Sequence, residues 1–96
     1  MNSQIASTNS VAAILARLFQ VRQDNLSRGA AEYLLSIQFE DRDLARMHSL
    51  AQLAQSGDLS EDDRAELDSY LHVSNLLAVM QSKARRSLAA LGVNRD

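Results

Sequence analysis

Apolar residues recur at helical spacing along four stretches of this chain, and no stretch alternates in the manner of a strand. Val11, Ile14, Leu15, Leu18 and Val21 form one stripe and predict a helix over about 11–22, with Ser10 as its cap. Ala31, Leu34, Leu35 and Ile37 predict a second helix over about 28–37, capped by Ser27, with Gly29 in its first turn. Leu44, Met47, Leu50, Ala51 and Ala54 predict a third over about 41–56, ended by Gly57, with Phe39 plugging the corner before it. The connection Gly57-Asp58-Leu59-Ser60 is short, so helices three and four should form an antiparallel hairpin.

The last third carries the most information. Ser60 suits an N-cap, Glu61, Asp62 and Asp63 suit the positive first turn, and neither Gly nor Pro follows until Gly92. A helix over about 61–91 would be roughly 46 Å long, against a diameter of roughly 32 Å for a globule of this chain length. Tyr70, Val73, Leu77, Met80, Ala84, Leu88 and Leu91 succeed each other at steps of three and four, close to a heptad seam. Leu67, Leu71 and Ala78 form a second row, and together the rows cover about 220°, where roughly 100° seals one face on a core. The surplus predicts a partner-binding surface made by Tyr70, Val73, Leu77, Met80, Ala84 and Leu88. The fold expected is all-α: three short helices packed on one long C-terminal helix. Residues 1–10 would be a frayed polar tail and 11–96 a single helical domain.

Composition narrows the class without naming a chemistry. Of 96 residues 46% are apolar but only 4% aromatic, so Ala and Leu must build the core. The absence of cysteine rules out disulfides and thiolate ligands and fits a reducing cytoplasm, the expected location. The N-terminus shows no charged region followed by an apolar run, and Leu76 to Met80 is too short an apolar run to span a bilayer. Charge is uneven within the net −2: residues 58–68 hold six acids against Arg64, while 69–96 hold Lys83, Arg85, Arg86 and Arg95 against Asp96. Compensation of the helix macrodipole explains most of this split. A sharper reading makes Asp58, Glu61, Asp62 and Asp63 an acidic patch, and Lys83, Arg85 and Arg86 a basic one, each facing a partner of opposite sign.

Candidate chemistry is thin. Asp68 and His72 are one turn apart, but the Glu-x-x-His pairing of di-iron bundles is missing, with Ser69 and Ala45 where glutamates would stand. The acids after Gly57 lack the internal glycine and alternating oxygens of a calcium loop. No serine is marked out beside a histidine, and no phosphate-cradling glycine loop occurs. The reading is therefore a protein without catalytic residues, metal or cofactor. Lys83, Arg85 and Arg86 lack interleaved aromatics, and the acidic start of their helix would repel phosphate. Nucleic acid is the weaker partner, and a small DNA-binding regulator is the second reading.

One resemblance adds to this. Leu59-Ser-Glu-Asp-Asp-Arg-Ala-Glu-Leu67, followed by the segment from Asp68 through Tyr70, Val73, Leu76, Leu77, Ala78, Gln81, Lys83-Ala-Arg85 and Leu88, resembles a set of small, uncharacterised bacterial all-helical proteins. These carry an LTPEE-x-x-EL start before a Y-x-x-V/L-x-x-LL-A-x-x-Q-x-KAR-x-x-L helix. Leu26 to Phe39 is similar to their second helix, although they often have Pro where Arg28 stands. The resemblance covers about residues 26–91 and leaves out the first helix and the tail. Such proteins tend to be encoded beside HNH-type endonucleases. The resemblance thus implies an antitoxin-like protein whose partner is a nuclease, while the apolar seam of the long helix leaves a homodimer as the other arrangement. An acidic patch covering a nuclease's basic surface would imitate phosphate.

Overall fold

A computed structural model of the chain describes residues 9–92. These form four α-helices, α1 (Val11–Leu18), α2 (Arg28–Ser36), α3 (Asp41–Ser56) and α4 (Glu61–Ala90), and among the described residues there is no strand. The all-α class and the long C-terminal helix are as the pattern predicts. Most of the proposed tail, residues 1–8, lies outside the described residues.

Local chemistry sets the boundaries. The hydroxyls of Ser10, Ser27 and Ser60 accept from the amides of Ala13, Ala30 and Asp63 at 3.1, 3.2 and 3.0 Å, so three of the four helices start at a serine cap. Gly57 closes α3 at φ 77°, where its N–H donates to Ala54 O, a left-handed position that a side chain would strain. The first helix stops at Leu18, earlier than the apolar stripe predicts. Gln20 turns the chain at φ 52° there without a glycine.

By packing, the chain falls into two compact units, residues 1–36 with 76–96 and residues 37–75, so that each takes half of α4.

In the first unit α2 packs on the C-terminal half of α4. Ala31 and Ala84 are fully buried with Leu88, and Leu26, Leu34 and Leu35 close over them. Two alanines at the contact let the helix backbones approach closely, so leucines from the flanks complete the core. Polar bonds fix the register: Gln81 Nε2 donates to Leu34 O at 3.1 Å, and the buried Ser87 hydroxyl accepts from Leu26 N at 3.2 Å. The expected stripe of α1 does not turn inward together. Leu15 and Val21 are half-buried, while Val11, Ile14, Leu18 and Phe19 are exposed, Val11 to 75%.

In the second unit α3 and the first half of α4 form the predicted antiparallel hairpin. Asp43 meets Tyr70, and Arg46, one turn on, meets Glu66 and Asp63, so the two helices run in opposite senses. Leu50 of α3 is fully buried, worth about 1.5–3 kcal/mol in transfer free energy. The inward face of α3 matches the apolar pattern only in part, at Met47 and Leu50. Leu44, Ala51 and Ala54 are exposed, and the covered positions are Asp43, Arg46, Met47, Leu50 and Leu53. Asp43 and Arg46 are covered because both have polar partners on α4.

Candidate functional site

The expected partner seam is divided by the fold. Met80, Ala84 and Leu88 are buried, Ala84 and Leu88 inside the first unit's own core, and Leu77 is half-covered. These three residues therefore present no face to a partner. Tyr70 is half-buried, and Val73 is exposed to 53%.

The basic patch is dismantled in the same way. Lys83 is buried, and its ammonium donates to the carbonyls of Phe19 and Gln20 at 2.8 and 2.9 Å. Those carbonyls belong to the turn that ends α1, so the lysine does the work that a capping glycine does elsewhere. Arg86 donates to Asp24 at 2.8 Å, to Val21 O at 2.6 Å and to Ser82 at 3.0 Å. Arg85 alone of the three is exposed without a bond that orients it toward the fold among the described residues. A row of three cations in sequence is thus two internal tethers and one surface charge.

Of the acidic patch, Asp58, Glu61 and Asp62 are exposed at the hairpin turn and the start of α4. Asp63 is drawn aside to Arg46 at 3.2 Å. The Arg46 guanidinium also grips Glu66 with two bonds of 2.9 and 2.8 Å, the forked geometry that only arginine offers a carboxylate. This hydrogen bonding holds the Glu66 carboxyl below its ordinary value against the opposing effect of desolvation, and pushes the arginine further up.

Next to that pair the second unit has an open groove of about 290 Å³ lined by Phe39, Asp43, Glu66, Ser69, Tyr70 and Val73. Phe39 and Tyr70 meet edge to face with centroids 6.2 Å apart, which fixes both rings. The Tyr70 hydroxyl donates to Asp43 at 2.7 Å, and that bond, with desolvation, raises the phenol's pKa. The groove thus has an aromatic and aliphatic floor with two carboxylates on it. Its unit, residues 37–75, carries nine acids against Arg42, Arg46 and Arg64, a net charge of −6. No protein-family model matches this chain, and no curated protein or solved structure matches it either.

Phe39, Asp43, Glu66 and Ser69 were not marked as site residues by the sequence, although a signal for them exists. Asp63, Glu66 and Tyr70 follow at steps of three and four on one helix face, and Asp43 and Arg46 do the same on α3. Two polar rows brought together by a four-residue turn identify a cross-hairpin network. Asp68 and His72, the metal candidates, are both exposed, and among the described residues no group of three potential ligands occurs.

Proposed function

We propose that this chain is a non-enzymatic, helical interaction protein that works by binding another protein through α4. The observation that carries the reading is the open, aromatic-floored groove of Phe39, Tyr70 and Val73 on the acidic half of the hairpin. An apolar floor held rigid by a ring contact, with polar atoms at its edge, suits a docking surface better than a reaction centre. The docking face lies at the start of α4, on Tyr70 and Val73, instead of along Met80, Ala84 and Leu88.

For the partner, the resemblance to bacterial proteins encoded beside HNH-type endonucleases nominates a nuclease, with an antitoxin-like role and a cytoplasmic setting. A second copy of the chain is the other occupant. The DNA-binding alternative loses support, because Lys83 and Arg86 are engaged within the fold.

Co-expression with the HNH-type nuclease that the resemblance nominates, followed by light scattering of the purified material, tests the reading. A complex of defined mass, or a dimer of the chain alone, is the expected result. A monomer that leaves the nuclease unbound overturns it.

A further inference from the structure

We infer that the groove of Phe39, Asp43, Glu66, Ser69, Tyr70 and Val73 receives a cationic, amphipathic segment of a partner protein, an arginine-bearing helix turn whose apolar residue seats on Val73. The inference rests on the interaction reading above and gives the partner's surface its chemistry.

Charge and shape both lead there. The groove's unit has a net charge of −6, so its field attracts cations and repels acidic or phosphate-bearing surfaces. Within the groove the charge is placed. Asp43 gives one bond's worth of acceptor capacity to Tyr70, and a carboxylate has about four lone-pair sites. Glu66 also lines the groove, and although each of its oxygens accepts one N–H from Arg46, a carboxylate has lone pairs beyond those two bonds. A guanidinium entering here would find carboxylate oxygens to accept its N–H groups and the Tyr70 ring to stack on, within the roughly 6 Å that cation–π attraction needs. Val73, exposed to 53% one turn along from Ser69, gives the neighbouring aliphatic residue an apolar seat. An acidic partner would meet repulsion from Asp43, which no cation among the described residues neutralises in the way that Arg46 neutralises Glu66, and a purely apolar one would strip water from Asp43 without replacing its bonds. The first unit of a second copy is also basic, with seven cations against Asp24, Glu32 and Asp96, so self-association is an outcome the test must separate.

The probe is a pair of synthetic helical peptides with the same leucine positions, one carrying arginine at its polar positions and the other glutamate, titrated into the isotopically labelled full chain by NMR. The arginine peptide is expected to move the amides of Phe39, Ser69, Tyr70 and Val73 saturably, and the glutamate peptide is expected to leave them unchanged. Ser69→Arg, at an exposed helical position on the groove, should weaken arginine-peptide binding at least ten-fold. Gln55→Arg makes the same charge change about 18 Å along α3 from Asp43 and should alter it less than two-fold. Equal loss in both variants, or shifts spread over Asp58, Glu61 and Asp62, would mean bulk attraction and overturn the inference. Equal binding of both peptides would overturn the cationic partner and leave docking at the groove. A chain that dimerises and resists displacement by the arginine peptide would assign the groove to a second copy and overturn it as well. If neither peptide binds while the nuclease is captured, only this inference falls. If the nuclease is not captured either, the function proposed above falls with it.

Discussion

The Tyr70 hydroxyl donates to Asp43 Oδ1 at 2.7 Å, joining the two arms of the α3–α4 hairpin at the edge of the groove. The bond needs the phenol to keep its proton. Its folded pKa is raised above the ordinary 10.0, first by the hydrogen bond to Asp43 and then by desolvation. A raised folded value means a stabilising contribution that is complete below pH 10.0 and is lost as pH climbs through the folded value. The urea midpoint of the wild type should therefore fall more steeply above pH 10 than that of Tyr70→Phe, which has no proton to lose. Parallel curves for the two proteins would show that the bond does not form in solution.

At the acid end the sign reverses. Glu66 is held below its ordinary value of 4.5, chiefly by the bond to Arg46. A lowered folded value stabilises above 4.5, and the contribution disappears as pH falls through the folded value. Between about pH 5 and 3 the wild type should lose stability that Glu66→Gln does not have to lose. Circular dichroism melts across that range give the comparison. Arg46→Met should show the same flattening, since it removes the cause from the other side.

These two pairs also show how far the sequence could be read. The serine caps, Gly57 and the hairpin were legible because each is a local signal acting within four residues. The orientation of α3 was legible only in part. Of the stripe Leu44, Met47, Leu50, Ala51 and Ala54, only Met47 and Leu50 are covered, and beside them Asp43 and Arg46, which bond to α4, are covered while Leu44, Ala51 and Ala54 are exposed. Apolar periodicity treats every charge as a surface marker, and it fails where two charged rows satisfy each other across a short turn. The same blindness made Lys83 and Arg86 look like a patch. Their acceptors, the carbonyls of Phe19, Gln20 and Val21, lie more than 60 residues away and belong to the backbone, which a sequence does not display.

Lys83 supplies a prediction of its own. Its ammonium donates to two carbonyls at the end of α1, so Lys83→Met keeps the aliphatic stem but takes the donor from Phe19 O and leaves Gln20 O with the Gln23 N–H alone. Losing a charged donor to a part-buried carbonyl should cost about 1–3 kcal/mol. The damage should be local, because α1 has no buried residue to hold it otherwise. Hydrogen exchange should show α1 amides such as Leu15 and Leu18 losing protection several-fold while Leu50 in α3 stays unchanged. A uniform loss across both units would contradict the tether.

The seam of α4 is tested by one contrast. Tyr70, Val73, Leu77, Met80, Ala84 and Leu88 look equivalent in sequence, but Leu88 is 8% exposed and Val73 is 53% exposed. Leu88 packs with Ala31 and Ala84 under Leu26, Leu34 and Leu35, so Leu88→Glu would put a carboxylate into an apolar cluster. An unpaired buried charge either costs several kcal/mol or is neutralised by taking up a proton, and both outcomes weaken the fold. Leu88→Ala, which only removes volume, should still cost about 2–5 kcal/mol. Val73→Asn changes an exposed position, so its melting temperature should stay within a few degrees of wild type while the groove loses its aliphatic seat. Loss of partner binding in Val73→Asn with the fold intact, beside loss of fold in Leu88→Glu, locates the docking face at the start of α4. If Leu88→Glu remains folded and is the variant that loses its partner, the C-terminal half of the helix is the interface after all, and α2 must leave it for binding to occur.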